Sequence, residues 1–259
     1  MPMLELRDAS IRYEISGPKQ APAVLLSNSL GTSLEMWDSQ VPVLSREFCV
    51  LRYDMRGHGQ STVTPGPYTI EQLAQDVILL LDHLDIEKVH FCGLSMSGLI
   101  GMLLALRNPR RLRHLILCNT SPKIGNAEIW NTRIETVRKS GMAAIVDGVI
   151  QRWFTPAFQA ASPAAIDSPR KMLLDTPVEG YAACCAAIRD IDLRESIANI
   201  QLPTLVITGT CDPVTPPSES RLFAERIAGA QYKELPASHL SNIEAAEAFT
   251  MELLNFLKA

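Results

Sequence analysis

The 259-residue chain has no apolar run near the roughly 18 residues that a membrane-spanning helix needs, so no membrane span is expected. It has no excess of positive charge. Its 24 Lys and Arg stand against 28 Asp and Glu, a net charge of -4, with both signs spread along the chain. That excludes the electrostatic footprint of a nucleic-acid binder or an anionic-membrane binder. The first residues, "MPMLELRDAS", lack a basic start followed by an apolar stretch, and no secretory signal is expected. The six cysteines (49, 92, 118, 184, 185 and 211) include no CxxC pair and no metal-ligand spacing. Cys49, Cys92 and Cys118 fall inside apolar strand-like runs, where a cysteine acts as a small buried hydrophobe. A reduced, cytoplasmic protein without disulfides is expected. No internal repeat or low-complexity tract is present, and nothing in the sequence sets the oligomeric state.

What is present is alternation. "AVLLSNS" (23–29), "FCVLRYD" (48–54), "KVHFCG" (88–93), "LRHLILCN" (112–119), "TLVITGT" (204–210) and "YKELP" (232–236) are short and rich in strand formers. Helical patterns lie between them. In 69–84, Ile70, Leu73, Val77, Leu80, Leu81 and Leu84 recur at helical spacing, with Thr69 and Gln72 as a capping pair. A last helix is expected from Asn242, with Ile243, Ala246, Phe249, Leu253 and Phe256 on one stripe. Continuous apolar strands alternating with helices predict an α/β fold, a mostly parallel sheet covered on both faces. The start, "MLELRDASIRYEISG", reads as a hairpin of two short strands. Residues 122–200 break the rhythm, with helical patterns and no convincing strand. The expected division is a core of 1–121 and 201–259, with a helical cap, 122–200, inserted between two core strands.

Parallel sheets place functional loops at the carboxyl ends of their strands. Ser95, Asp212, His239 and Asp54 all follow strands there. In "HFCGLSMSGLIG" (90–101) a strand stops at Gly93, Ser95 sits at the tip of a turn, and small residues lead into a helix. This is a nucleophile elbow, where a strained turn exposes the serine hydroxyl. The bland alternative is a serine capping an ordinary helix. Close strand–helix contact demands small residues two before and two after the serine. Gly93 meets this and Ser97 departs from it, with Gly98 following at once.

Three residues in the order Ser95, Asp212, His239 supply nucleophile, acid and base in the order known for such elbows. Of the five histidines, His58 lies in a glycine-rich loop, His83 in a helix, and His90 and His114 in strands. Only His239 sits in a short polar loop after a late strand. Asp212 could instead be a turn aspartate before Pro213. Asp54, a rival acid, suits a loop-organising role in "YDMRGHGQS". An oxyanion hole is expected from the backbone N–H of Met96, after the nucleophile, and that of Leu30 in "LLSNSLGTS" (25–33).

At this point the chain resembles the α/β-hydrolase superfamily, through "LSNSLGTSLEMWDSQ", "LRYDMRGHGQS", "FCGLSMSGLIG", "ITGTCDPVTPP" and "SHLSNIE". Within it, "NTSPKIGNAEIWNTRIETVRKSGM" and "GYAACCAAIRDIDLRESI" are similar to the bacterial 3-oxoadipate enol-lactonases. Those two stretches lie in the insertion, where substrate choice is expected. The resemblance implies a small anionic lactone substrate, a cytoplasmic enzyme of the β-ketoadipate pathway, and no metal or organic cofactor. Serine is a departure at position 97, where this family usually has glycine. The substrate carboxylate calls for a cation in the cap. Trp130, Arg133 and Trp153 are the candidate substrate-binding residues, Arg133 because it shares a helix face with Trp130. Arg138, Arg152, Arg170, Arg189 and Arg194 are read as solvated. Rival readings are a carboxylesterase, a carbon–carbon bond hydrolase, a perhydrolase, or a ligand-binding receptor on a hydrolase scaffold. The elbow is also expected to tolerate Ser97→Gly and to reject Ser97→Leu.

Overall fold

The computed structural model describes residues 2–259. Eight strands form one sheet: β1 (Met3–Glu5), β2 (Ser10–Ser16), β3 (Ala23–Ser27), β4 (Cys49–Tyr53), β5 (Val89–Leu94), β6 (Leu112–Cys118), β7 (Thr204–Gly209) and β8 (Gln231–Leu235). Their order is β1-β2-β4-β3-β5-β6-β7-β8. The opening hairpin pairs antiparallel, β2 pairs antiparallel to β4, and every later pairing is parallel. All residues of β3, β4, β5 and β7 are buried. Helices cover both faces of these strands, which is why they read as unbroken apolar runs.

The helices in chain order are α1 (Val41–Leu44), α2 (Ile70–His83), α3 (Met96–Arg107), α4 (Ala127–Ser140), α5 (Val146–Trp153), α6 (Pro156–Ala161), α7 (Ala164–Asp175), α8 (Val178–Asp190), α9 (Pro217–Arg226), α10 (Ser241–Glu244) and α11 (Ala246–Leu257). Thr69 caps α2, its Oγ1 accepting from Gln72 N at 3.1 Å. Between β6 and β7 lie α4 to α8 and no strand.

The final helix differs from the expectation. The chain forms α10, breaks at Ala245 and resumes as α11. Asn242 is buried and donates to Met36 O at 2.8 Å. Glu244 turns its carboxylate onto Ser238 N and Thr155 N. These long-range bonds hold the first turn, and the apolar stripe governs the helix only from Ala246.

Candidate active site

Three strand ends and one turn build the site. Ser95 stands between β5 and α3 with φ 58° and ψ -117°, a strained conformation for a residue with a side chain. Its N–H donates to Cys118 O at 2.8 Å, and its carbonyl accepts from Gly98 N and Thr120 Oγ1. A Cβ on Gly93 would lie 2.3 Å from Ser97 O, so strand and helix approach closer there than a side chain permits. The Ser97 side chain points the other way, toward Ser27 and Asn28 at the end of β3. The elbow is therefore tight at Gly93, while the Ser97 side chain is taken up in a buried polar niche on the other side.

The structure brings Ser95, His239 and Asp212 into one buried line. His239 Nε2 lies 2.9 Å from Ser95 Oγ, and His239 Nδ1 lies 2.8 Å from Asp212 Oδ2. Burial alone would raise the Asp212 pKa. The His239 charge and hydrogen bond, then Asn119 and Thr215, outweigh it and pull the carboxyl down to about 2. Asp212 accepts from Val214 N, Thr215 N, Thr215 Oγ1 and Asn119 Nδ2, so the carboxylate is anchored before the imidazole meets it. Asn119, at the end of β6 with φ 45°, also donates to Ser238 O. It thus ties the acid to the loop of the base, and sequence reasoning missed it. Its contacts span 93 and 119 positions of chain, a distance no local pattern reports.

The rival acid Asp54 does organise a loop. Its oxygens accept from Leu34 N and Gln60 N, and Arg12 lies beside it. His58 is more than a turn residue. It is fully buried, and its Nε2 accepts from Gly31 N at 2.9 Å, next to Leu30. Burial pushes its pKa down to about 4, so it is neutral at pH 7.

Two N–H groups are free at the serine. Met96 opens α3, where a first residue has no helical acceptor. Among the described residues no acceptor takes the N–H of Leu30. Leu30 and Ser95 line the same cavity, of about 70 Å3, with His239. Larger clefts, of about 470 and 500 Å3, lie away from Ser95.

Trp130, Arg133 and Trp153 also line the serine cavity, as does Arg152. Trp130 and Arg133 share a face of α4. The Trp130 ring is fixed by Nε1 donating to Ile124 O at 2.7 Å. Arg133 donates to Tyr181 Oη at 3.1 Å. Arg152, expected at the surface, is half-buried beside them at the end of α5. Burial, then the charge of Arg133, holds its pKa below the usual arginine range, yet it remains a cation at neutral pH. Among the described residues neither arginine has an acidic partner. Among the described residues, every other arginine is exposed or ion-paired. The carbonyls of Arg152 and Trp153 accept from Ser238 Oγ and Leu240 N, so the end of α5 is fastened to the two neighbours of His239.

A charge-ready serine, a base held by a buried acid and two free amides can attack a carbonyl and hold the resulting oxyanion. The family model for the alpha/beta hydrolase fold matches residues 22–140. The chain is 42% identical over 246 residues to 3-oxoadipate enol-lactonase 2 of Acinetobacter baylyi, covering 95% of this chain and 92% of that one. It is 40% identical to enol-lactonase 1 of the same organism, covering 96% and 94%. The crystal structure of the enol-lactonase from Burkholderia xenovorans LB400 is 46% identical and superposes over 100% of both chains with a TM-score of 0.98.

Proposed function

This chain belongs to the α/β-hydrolase family, as a carboxylic ester hydrolase, and from that premise we propose that it opens the ring of 3-oxoadipate enol-lactone to give 3-oxoadipate. His239 takes the proton of Ser95 as Oγ attacks the lactone carbonyl. Asp212 holds the imidazole in the required tautomer and supports the imidazolium. The negative oxygen develops against the amides of Met96 and Leu30, one such donor being worth roughly 3 kcal/mol. Collapse breaks the bond from the carbonyl carbon to the ring oxygen, which leaves as an enol and takes a proton. The enol is still tethered and could close the ring again. Its conversion to the ketone removes that internal nucleophile. Water, deprotonated by His239, then releases the acid from Ser95.

The observation that carries the choice of substrate is the arginine pair. Two half-buried guanidiniums without a counter-ion, with Tyr181 beside them, suit a carboxylate set back from the reacting carbonyl. The indoles of Trp130 and Trp153 suit a flat ring. The identities to the two Acinetobacter enol-lactonases support the same reading. In it, 122–200 is a cap on a core of 1–121 and 201–259, and the enzyme works in the cytoplasm, in the β-ketoadipate pathway of aromatic catabolism. The test is an ultraviolet assay of the enol-lactone beside a neutral aryl ester. Arg133→Met and Arg152→Met should each raise KM for the lactone roughly tenfold or more, since a charged hydrogen bond is worth about 1.5–3 kcal/mol, and should barely change the aryl ester. Equal loss on both substrates would make the arginines structural. Faster turnover of the aryl ester than of the lactone by the unaltered protein would make it a general carboxylesterase.

A further inference from the structure

Ser97 stands where the resemblance expects glycine, and its hydroxyl is not idle. The residue is fully buried. Its Oγ accepts from Ser27 Oγ at 2.8 Å and donates to Asn28 O at 2.5 Å. Ser27 Oγ in turn lies 2.7 Å from Tyr53 Oη. Each hydroxyl has one proton, so the chain runs one way, from Tyr53 to Ser27 to Ser97 to the Asn28 carbonyl. Asn28 is held at its side chain as well. Its Nδ2 donates to Tyr53 O at 2.8 Å, and its Oδ1 accepts from Trp37 Nε1 at 3.0 Å.

The position of this carbonyl gives the bond its meaning. Asn28 O belongs to the peptide that joins Asn28 to Ser29, and the next peptide carries the N–H of Leu30. On the far side, Gly31 N donates to His58 Nε2. The free N–H of Leu30 is thus bracketed by two fixed peptides. Ser97 itself rides on the first turn of α3, directly after Met96. One hydroxyl therefore joins the helix that presents one free amide to the loop that presents the other.

We propose that Ser97 is a positioning residue that sets the Leu30 N–H against the Met96 N–H, so that it acts on the rate of acyl transfer and not on substrate binding. The assignment rests on Ser95 as nucleophile and on these two amides as the oxyanion hole. A glycine at 97 leaves the Asn28 carbonyl and the Ser27 hydroxyl without their shared partner and frees the loop to turn. Donors aimed at an oxyanion lose their worth with small misplacements. The expectation that Ser97→Gly leaves activity intact is therefore replaced by its opposite.

The experiment compares Ser97→Gly and Ser97→Ala with Ser27→Ala, using the enol-lactone, a neutral aryl ester and an aryl boronic acid that forms a tetrahedral adduct on a serine. Ser27→Ala is the control, because it removes a buried hydroxyl from the same network yet keeps the bond from Ser97 to Asn28. For both Ser97 variants kcat should fall roughly tenfold on both substrates, with KM within about twofold and boronic-acid affinity falling alongside kcat. Ser27→Ala should lower the melting temperature comparably and keep kcat within about threefold of the unaltered protein. Unchanged kcat in Ser97→Gly would overturn the proposal. So would a loss of kcat that simply follows melting temperature across all three variants, including variants too unstable to assay while Ser27→Ala is equally impaired. Failure of the site reading shows separately, as undiminished turnover in Ser95→Ala.

Discussion

At the scale of the residue, the arrangement around His239 makes a graded expectation. Ser95→Ala should leave a folded protein with turnover lower by several orders of magnitude, because the three residues act as a unit. Asp212→Asn should also fall by orders of magnitude. It keeps the shape, but its amide offers a donor where the imidazole Nδ1–H needs an acceptor. Single-turnover kinetics with circular dichroism checks both, and a silent Asp212→Asn with an inactive Asp54→Asn would transfer the acid to Asp54. Ser95, Asp212 and His239 were legible because each follows a strand at the same edge of a parallel sheet, and the order of the three along the chain is informative. Arg152 was not legible. In sequence it is one arginine among several in a helical stretch, and an arginine is exposed by default. Its place beside Arg133 in the serine cavity follows from where α5 ends, which is a fact of packing. Asn119 was missed, and the bond of the turn residue His58 to Gly31 was not read, for the same reason, since their partners lie far along the chain.

At the scale of the element, strands were readable and contacts between helices were not. The central strands β3, β4, β5 and β7 were anticipated because burial on both faces writes a continuous apolar run. The break at Ala245 was not anticipated, because Glu244 and Asn242 are held by bonds to Ser238, Thr155 and Met36. One contact between elements makes a sharp test. α8 crosses the loop that carries His58 so closely that a Cβ on Gly180 would lie 2.1 Å from Gly57 O. No flexible side chain can yield there, since the obstacle is backbone. Gly180→Ala should cost about 1–3 kcal/mol and lower the melting temperature by several degrees. Activity should fall with it, because the displaced loop holds Gly31 through His58. A calorimetric scan showing no change would mean that α8 does not press on this loop.

At the scale of the whole molecule, buried histidines set the response to acid. His58 and His90 both have pKa values pushed down to about 4, His58 chiefly by burial, His90 by burial and then by the charges of His114 and Arg113. In the unfolded chain a histidine titrates near 6.5. Between those values the unfolded state binds more protons, so stability must rise with pH across that window and fall as pH drops from 6.5 to 4. For fully buried His58 the loss is on the order of 3 kcal/mol. His90 also leaves its Nδ1 without a partner, so His90→Leu should flatten the acid limb. Denaturant titrations at pH 7, 5.5 and 4.5 test this, and a stability independent of pH over that range would refute it. The arginine pair acts on the same global balance from the other side. Among the described residues these two like charges face one cavity without an acidic partner and repel, and under the proposed function a bound carboxylate relaxes that repulsion. Ligand is then a structural component supplied by the surroundings, and the concentration of small organic acids in the medium becomes one of the variables that decide how much of the protein is folded.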